Sequence, residues 1–146
     1  MNQLLHEVYP VEKGAFETAG EVSGTIKRML RKLGVPSQVI RRVSVASYEV
    51  ELNLVIHSLG GQMEIFIEPE SVTLDVSDRG PGIPDLDLAM QEGWSTASEQ
   101  VRRMGFGAGM GLPNIKKNSD VLSIETEKGQ GTKVTMIIYI REDKNT

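Results

Sequence analysis

The chain has 146 residues, 39% of them apolar before glycine is counted, which fits one compact domain and excludes a disordered or collagen-like chain. With no cysteine, disulfides, thiolate metal sites and cysteine nucleophiles are ruled out, and His6 and His57 alone are too few for a histidine zinc site. Sixteen basic against twenty acidic residues leave a net charge of −4, so no overall positive field draws the chain to nucleic acid.

In chain order, residues 3–9 (QLLHEVY) read as a first strand. The N-terminal MNQLLHEVYPVEKG lacks the basic start and apolar block of a signal peptide, and no apolar run approaches the roughly 20 residues of a membrane span. A cytoplasmic protein without membrane contact is the expectation. From Ala15 to Leu33 apolar residues recur at helical spacing, with Val22, Ile26, Met29, Leu30 and Leu33 on one face. Lys27, Arg28, Arg31 and Lys32 suit a helix C-terminus, and Gly34 and Pro36 stop it. Ser37 reads as the N-cap of a second helix over 37–59 that ends at Gly60-Gly61.

MEIFIE (63–68) and SVTLDVSD (71–78) alternate polar and apolar residues as two strands, broken at Pro69. A turn over Gly80–Pro84, a short helix over 85–92 and a polar glycine-rich stretch to about 108 follow. Leu112 to Ser119 reads as a further short helix beginning near Pro113. VLSIET and KVTMIIYI close the chain as a hairpin through Lys128-Gly129-Gln130-Gly131. Residues 1–141 then make a single domain and 142–146 a charged tail. The element order predicts an α+β, two-layer α/β sandwich: a mostly antiparallel sheet with helices on one face.

Glycine is unevenly placed. Seven of the 15 (Gly80, Gly82, Gly93, Gly105, Gly107, Gly109 and Gly111) lie between positions 80 and 111. A dinucleotide fingerprint would need a strand before the glycines and a βαβ unit around them, and a P-loop would need Gly-Lys-Ser/Thr; neither pattern is present. A flexible surface loop is one reading. The other is an anion site, in which bare backbone amides run into the helix that follows, with Arg102 and Arg103 just upstream.

Two further clusters accompany the glycines. Asp78-Arg79-Gly80-Pro81-Gly82-Ile83-Pro84 ends a strand, where an aspartate can also serve merely to cap the bend. Glu49 and Asn53 are four apart and so share one helix face, which taken alone could be a solvated polar face. Glu51, two residues from Asn53, projects elsewhere and does not belong to that pair.

Glu49-x-x-x-Asn53, Asp78-x-Gly80-x-Gly82, Gly-x-Gly-x-Gly111-Leu112 and Gly129-x-Gly-Thr132 follow one another in this order. Together they resemble the N, G1, G2 and G3 boxes of the GHKL (histidine kinase-like) ATPase superfamily, over roughly residues 10–140. Within it, DRGPGIPDLDLAMQEGWST (78–96) is most similar to the bacterial anti-sigma-factor serine/threonine kinases, the stressosome switch kinase above all. The resemblance implies the Bergerat ATP-binding fold, ATP and Mg²⁺ as cofactors, and phosphorylation of a STAS-domain antagonist or scaffold protein. A sigma factor, a phosphatase and a second copy of the chain are the further partners it admits.

By the same resemblance Asp78 accepts the adenine amine, Thr132 supports that corner, and Gly80, Gly82 and Ile83 lie beside the base. Asn53 is the magnesium ligand and Glu49 the general base. Gly105, Gly107, Gly109, Met110, Gly111 and Leu112 form the lid and phosphate cradle, with Arg102, Arg103 and Lys116 as candidate phosphate contacts. His57, one turn after Asn53, reads as a helix-end residue before a site residue. Ser95, Thr96 and Ser98 are loop hydroxyls, and Trp94 is a lid anchor or partner contact. The chain departs from its likeness at Ala97–Met104 (ASEQVRRM), which reads as a short insertion lengthening the lid, and at Glu51, an acid the pattern does not require.

Three functions follow as expectations: an ATP-dependent serine/threonine kinase in a partner-switching pathway, a nucleotide-gated anti-sigma factor or regulator that sequesters a partner, and an ATPase whose hydrolysis drives dimerisation. The first is favoured by Glu49, Asn53 and the switch-kinase-like segment. The third is weakest, because no transducer domain follows.

Overall fold

The computed structural model describes residues 5–56, 60–79, 111–127 and 129–140. Within them the alternating segments form five strands: β1 (Leu5–Val11), β2 (Gly61–Ile67), β3 (Ser71–Asp78), β4 (Val121–Glu127) and β5 (Gly131–Tyr139). They make one sheet in the order β1-β2-β3-β5-β4, every neighbouring pair antiparallel. Pro10 falls in β1 at the sheet edge, where its missing N–H costs least. The predicted α+β architecture is the one adopted.

Among the described residues three α-helices occur: α1 (Glu21–Lys32), α2 (Ser37–Ile56) and α3 (Gly111–Lys117). α2 packs against both other helices. Its Val43, Ala46, Val50 and Leu54 meet a core built from Met63, Ile65, Ile67, Leu74, Met136 and Ile138 of the sheet. Ile26 and Leu30 of α1 and Leu112 and Ile115 of α3 complete it. The β-branched residues of α2 are poor helix formers, so burial rather than propensity holds this helix.

Several boundaries differ from expectation. The helix expected from Ala15 starts at Glu21, because Phe16–Thr18 is a 3-10 turn and Gly20 stands at φ +98°, a value no helix interior accepts. Leu33, expected on its buried face, lies past the last turn and is 42% exposed. Ser37 is the first residue of α2 rather than its cap; the carbonyl of Pro36 accepts from Val39 and Ile40 at 3.0 Å. α3 ends at Lys117, where the Asn118 and Ser119 side chains donate to the carbonyls of Asn114 and Ile115 at 2.8 and 2.7 Å. The expected turn at 80–84, the helix over 85–92, the glycine-rich stretch to 108 and the tail 142–146 lie outside the described residues.

Gly20 offers α1 no capping side chain, and the cap comes from another helix. The Glu51 carboxylate, 2% exposed, accepts N–H donors from Gly20 at 2.9 Å, Val22 at 3.3 Å and Ser23 at 2.9 Å. These are donors that the first turn of a helix leaves without intrahelical partners. Glu51 does point away from Glu49 and Asn53, and it joins α1 to α2. Glu51→Ala leaves three helix-start amides without their acceptor and is expected to cost about 3 kcal/mol, roughly 1 kcal/mol for each hydrogen bond lost. Urea denaturation of the two proteins measures it.

Candidate functional site

Glu49 and Asn53 sit on α2 one turn apart, both half-buried. Opposite them α3 begins at Gly111, so close that a Cβ there would lie 3.3 Å from Glu49 Oε2 and 3.4 Å from Asn53 Oδ1. A glycine at this point therefore lets the two helices meet over both polar groups. Burial pushes the Glu49 carboxyl above its ordinary value, and a hydrogen bond from the Asn114 side chain opposes part of that rise. The cluster thus holds a carboxylate readier than usual to take a proton, beside the amide of Asn53.

The second group stands at the end of β3. Asp78 Oδ1 accepts the Thr132 N–H at 2.8 Å, and the Thr132 hydroxyl shares a 3.0 Å hydrogen bond with that of Thr126. Burial raises the Asp78 carboxyl, and the Thr132 N–H partly offsets it. Two glycines let the chain close around this acid. Gly61 pairs with Asp78 across β2 and β3, where a Cβ would collide with the Ser77 carbonyl. Gly131, at φ +123°, lies so near that a Cβ would strike the Asp78 carbonyl and sit 2.9 Å from its Oδ1. Gly131→Ala is therefore expected to lower stability by about 1–3 kcal/mol through backbone strain and to turn Asp78 away. Chemical denaturation of the variant reads the first effect, and loss of the hydrogen-bonded Thr132 amide signal in NMR reads the second.

Of the expected site residues, Glu49, Asn53 and Gly111 come together, and Asp78 and Thr132 are hydrogen-bonded. Leu112 packs in the core. Lys116 is exposed and five residues beyond Gly111, which at about 100° per residue turns it away from Glu49 and Asn53. Gly80, Gly82, Ile83, Arg102, Arg103, Gly105, Gly107, Gly109 and Met110 lie outside the described residues, as do His57, Trp94, Ser95, Thr96 and Ser98. Asn114 and Thr126 are additions that sequence reasoning missed. The spacing of Asn114 from Gly111, three residues on a short helix, was the available signal.

The sheet and its helices make an α+β domain that carries a Glu/Asn pair under a glycine helix start and an acid locked at a strand end. The chain belongs to the histidine kinase-, DNA gyrase B- and HSP90-like ATPase family, whose family model matches residues 39–142. It is 34% identical over 110 residues to an anti-sigma F factor of Thermoanaerobacter sp. (strain X514), covering 72% of this chain and 73% of the relative. It is 28% identical over 119 residues to the serine/threonine-protein kinase RsbT of Bacillus subtilis (strain 168), covering 79% and 84%. An anti-sigma F factor of Clostridium acetobutylicum is 30% identical over 117 residues, 77% and 78% of the two chains.

Proposed function

We propose that this chain is an ATP-dependent serine/threonine protein kinase of a cytoplasmic partner-switching pathway, acting on a STAS-domain antagonist protein. The observation that carries the reading is the meeting of Glu49, Asn53 and Gly111, a proton acceptor beside an amide oxygen at one helix contact. Kinship with a protein named a serine/threonine-protein kinase supports it. Among the described residues no helix is long and apolar enough to cross a membrane.

The residues present fit ATP and Mg²⁺. A carboxylate with one oxygen held by the Thr132 N–H suits an amine donor such as that of adenine, and Asp78 takes this role. Among the described residues no cluster of three His, Asp or Glu could cage a metal. Magnesium needs none, since it binds through few protein oxygens, several waters and the substrate phosphates. Asn53 would hold it, and the ion's contribution when bound is to neutralise phosphate charge. Glu49 accepts the proton of the incoming serine or threonine hydroxyl as that oxygen bonds to the γ-phosphorus and the bond to the ADP oxygen breaks. The glycines Gly80, Gly82, Gly105, Gly107 and Gly109, with Ile83, Met110, Arg102 and Arg103, belong to the same reading by resemblance.

A second reading, a nucleotide-gated anti-sigma factor that sequesters its partner without phosphorylating it, is favoured by relatives named anti-sigma F factor. Incubation with γ-³²P-ATP, Mg²⁺ and purified STAS-domain proteins separates the two. Label on a STAS serine or threonine is the expected result. A tight ATP-dependent complex without label overturns the kinase reading in favour of sequestration.

A further inference from the structure

Glu49 is met from α3 by Gly111, which contributes closeness, and by Asn114, which contributes a hydrogen bond. Three residues separate Gly111 and Asn114, so both lie on the same side of the helix. α3 is anchored by the buried Leu112, Pro113 and Ile115, and Asn118 donates to the Asn114 carbonyl from both its side chain, at 2.8 Å, and its backbone N–H, at 3.2 Å. Asn114 therefore presents its amide from a fixed backbone, and no rearrangement is needed to reach the carboxylate.

We propose that Asn114 is a positioning residue that donates a hydrogen bond to the Glu49 carboxylate and holds it in one orientation beside Asn53. The inference rests on the reading of Glu49 as the general base. A half-buried carboxylate without a donor both rotates more freely and takes a proton more readily, and each loss removes usable base. An amide is well suited to this post. It donates to the ionised carboxylate, where the bond is strongest, and brings no opposite charge that would drive the carboxyl far below the range useful to a base. Asn114 reaches Glu49 from the same short helix whose Gly111 abuts that carboxylate, and its loss takes away a donor that opposes the effect of burial.

The test is a ¹³C NMR titration of the glutamate side-chain carboxyls, with Glu49 assigned by loss of its signal in Glu49→Gln. It is run on the wild type and on Asn114→Leu and Asn114→Asp, both close to asparagine in size. Asn114→Leu is expected to raise the proton affinity of Glu49 about tenfold, the size of a hydrogen bond to a charged group, and Asn114→Asp, which adds a like charge, more. Phosphotransfer by either variant is expected to fall about tenfold at neutral pH, its acid limb moving upward while ATP affinity stays within about twofold. Circular dichroism establishes that the variants fold, and either one alone suffices for the titration. A Glu49 titration unchanged in a folded variant overturns the positioning role, whatever the activity. A shifted titration in a protein whose wild type transfers no phosphate overturns the base reading of Glu49 and leaves the contact standing.

Discussion

Glu49→Gln is expected to slow phosphotransfer to a STAS-domain protein by about 10²–10⁴-fold, the usual contribution of a general base, while ATP affinity changes by less than about threefold. The substitution keeps the side-chain shape and an oxygen for the Asn114 amide, so α2 and α3 remain packed. Transfer of ³²P and calorimetric titration with ATP measure the two effects, and an unchanged rate sinks the base role. Burial also gives the reaction a pH signature. A carboxyl raised above its ordinary value loses the ionised form at a higher pH, so the rate falls earlier on acidification than for an exposed glutamate.

The same shift sets a stability effect whose sign can be worked out. With the folded carboxyl raised above the unfolded one, the folded state holds the proton more tightly. Stability is fully present below the unfolded value and is lost as pH rises through the folded one. At neutral pH the charge on Glu49 therefore opposes folding, and Glu49→Gln is expected to melt at a higher temperature there. The gain shrinks as pH falls through the raised folded value and is gone below the usual carboxylate range. A site that is less stable for being ready to react is a common exchange in enzymes.

Asp78→Asn is expected to weaken ATP binding about ten- to hundredfold, the range for hydrogen bonds to a charged acceptor. Oδ1 already accepts the Thr132 N–H. When the asparagine carbonyl takes over that bond, its NH₂ faces the adenine amine, donor against donor. Guanine presents a carbonyl at the equivalent position, so discrimination against GTP is expected to narrow in the same variant. Calorimetry with ATP and GTP reads both, and unaltered ATP affinity removes Asp78 from the adenine pocket.

Much of this site is legible in the sequence because its parts are local patterns. Glu49 and Asn53 share a helix face by their spacing alone, and the alternation in 63–68 and 71–78 puts Asp78 at a strand end. The hairpin glycines and Thr132 follow from turn chemistry. The misplaced boundaries have local causes too. Gly20 reads as a tolerable helix residue until its φ of +98° is known, and Leu33 reads as a core residue until the helix is seen to end before it.

Composition, strand alternation and helical spacing by themselves determined the α+β class, the sheet-forming segments and the helix face that carries Glu49 and Asn53, because these depend on residues within a few positions of one another. The tertiary structure alone decided what meets those residues. Glu51 caps a helix 28 to 31 residues earlier, and Asp78 takes an N–H 54 residues later. Asn114 and Gly111 reach Glu49 only because α3 packs on α2. Chain spacing carries no information about such partners, since hydrogen bonds and close approaches form wherever packing of the core brings backbones together. The acid that looked superfluous beside the N-box pair is thereby the one that fastens α1, and the glycines at 61 and 131 are there to let Asp78 be enclosed.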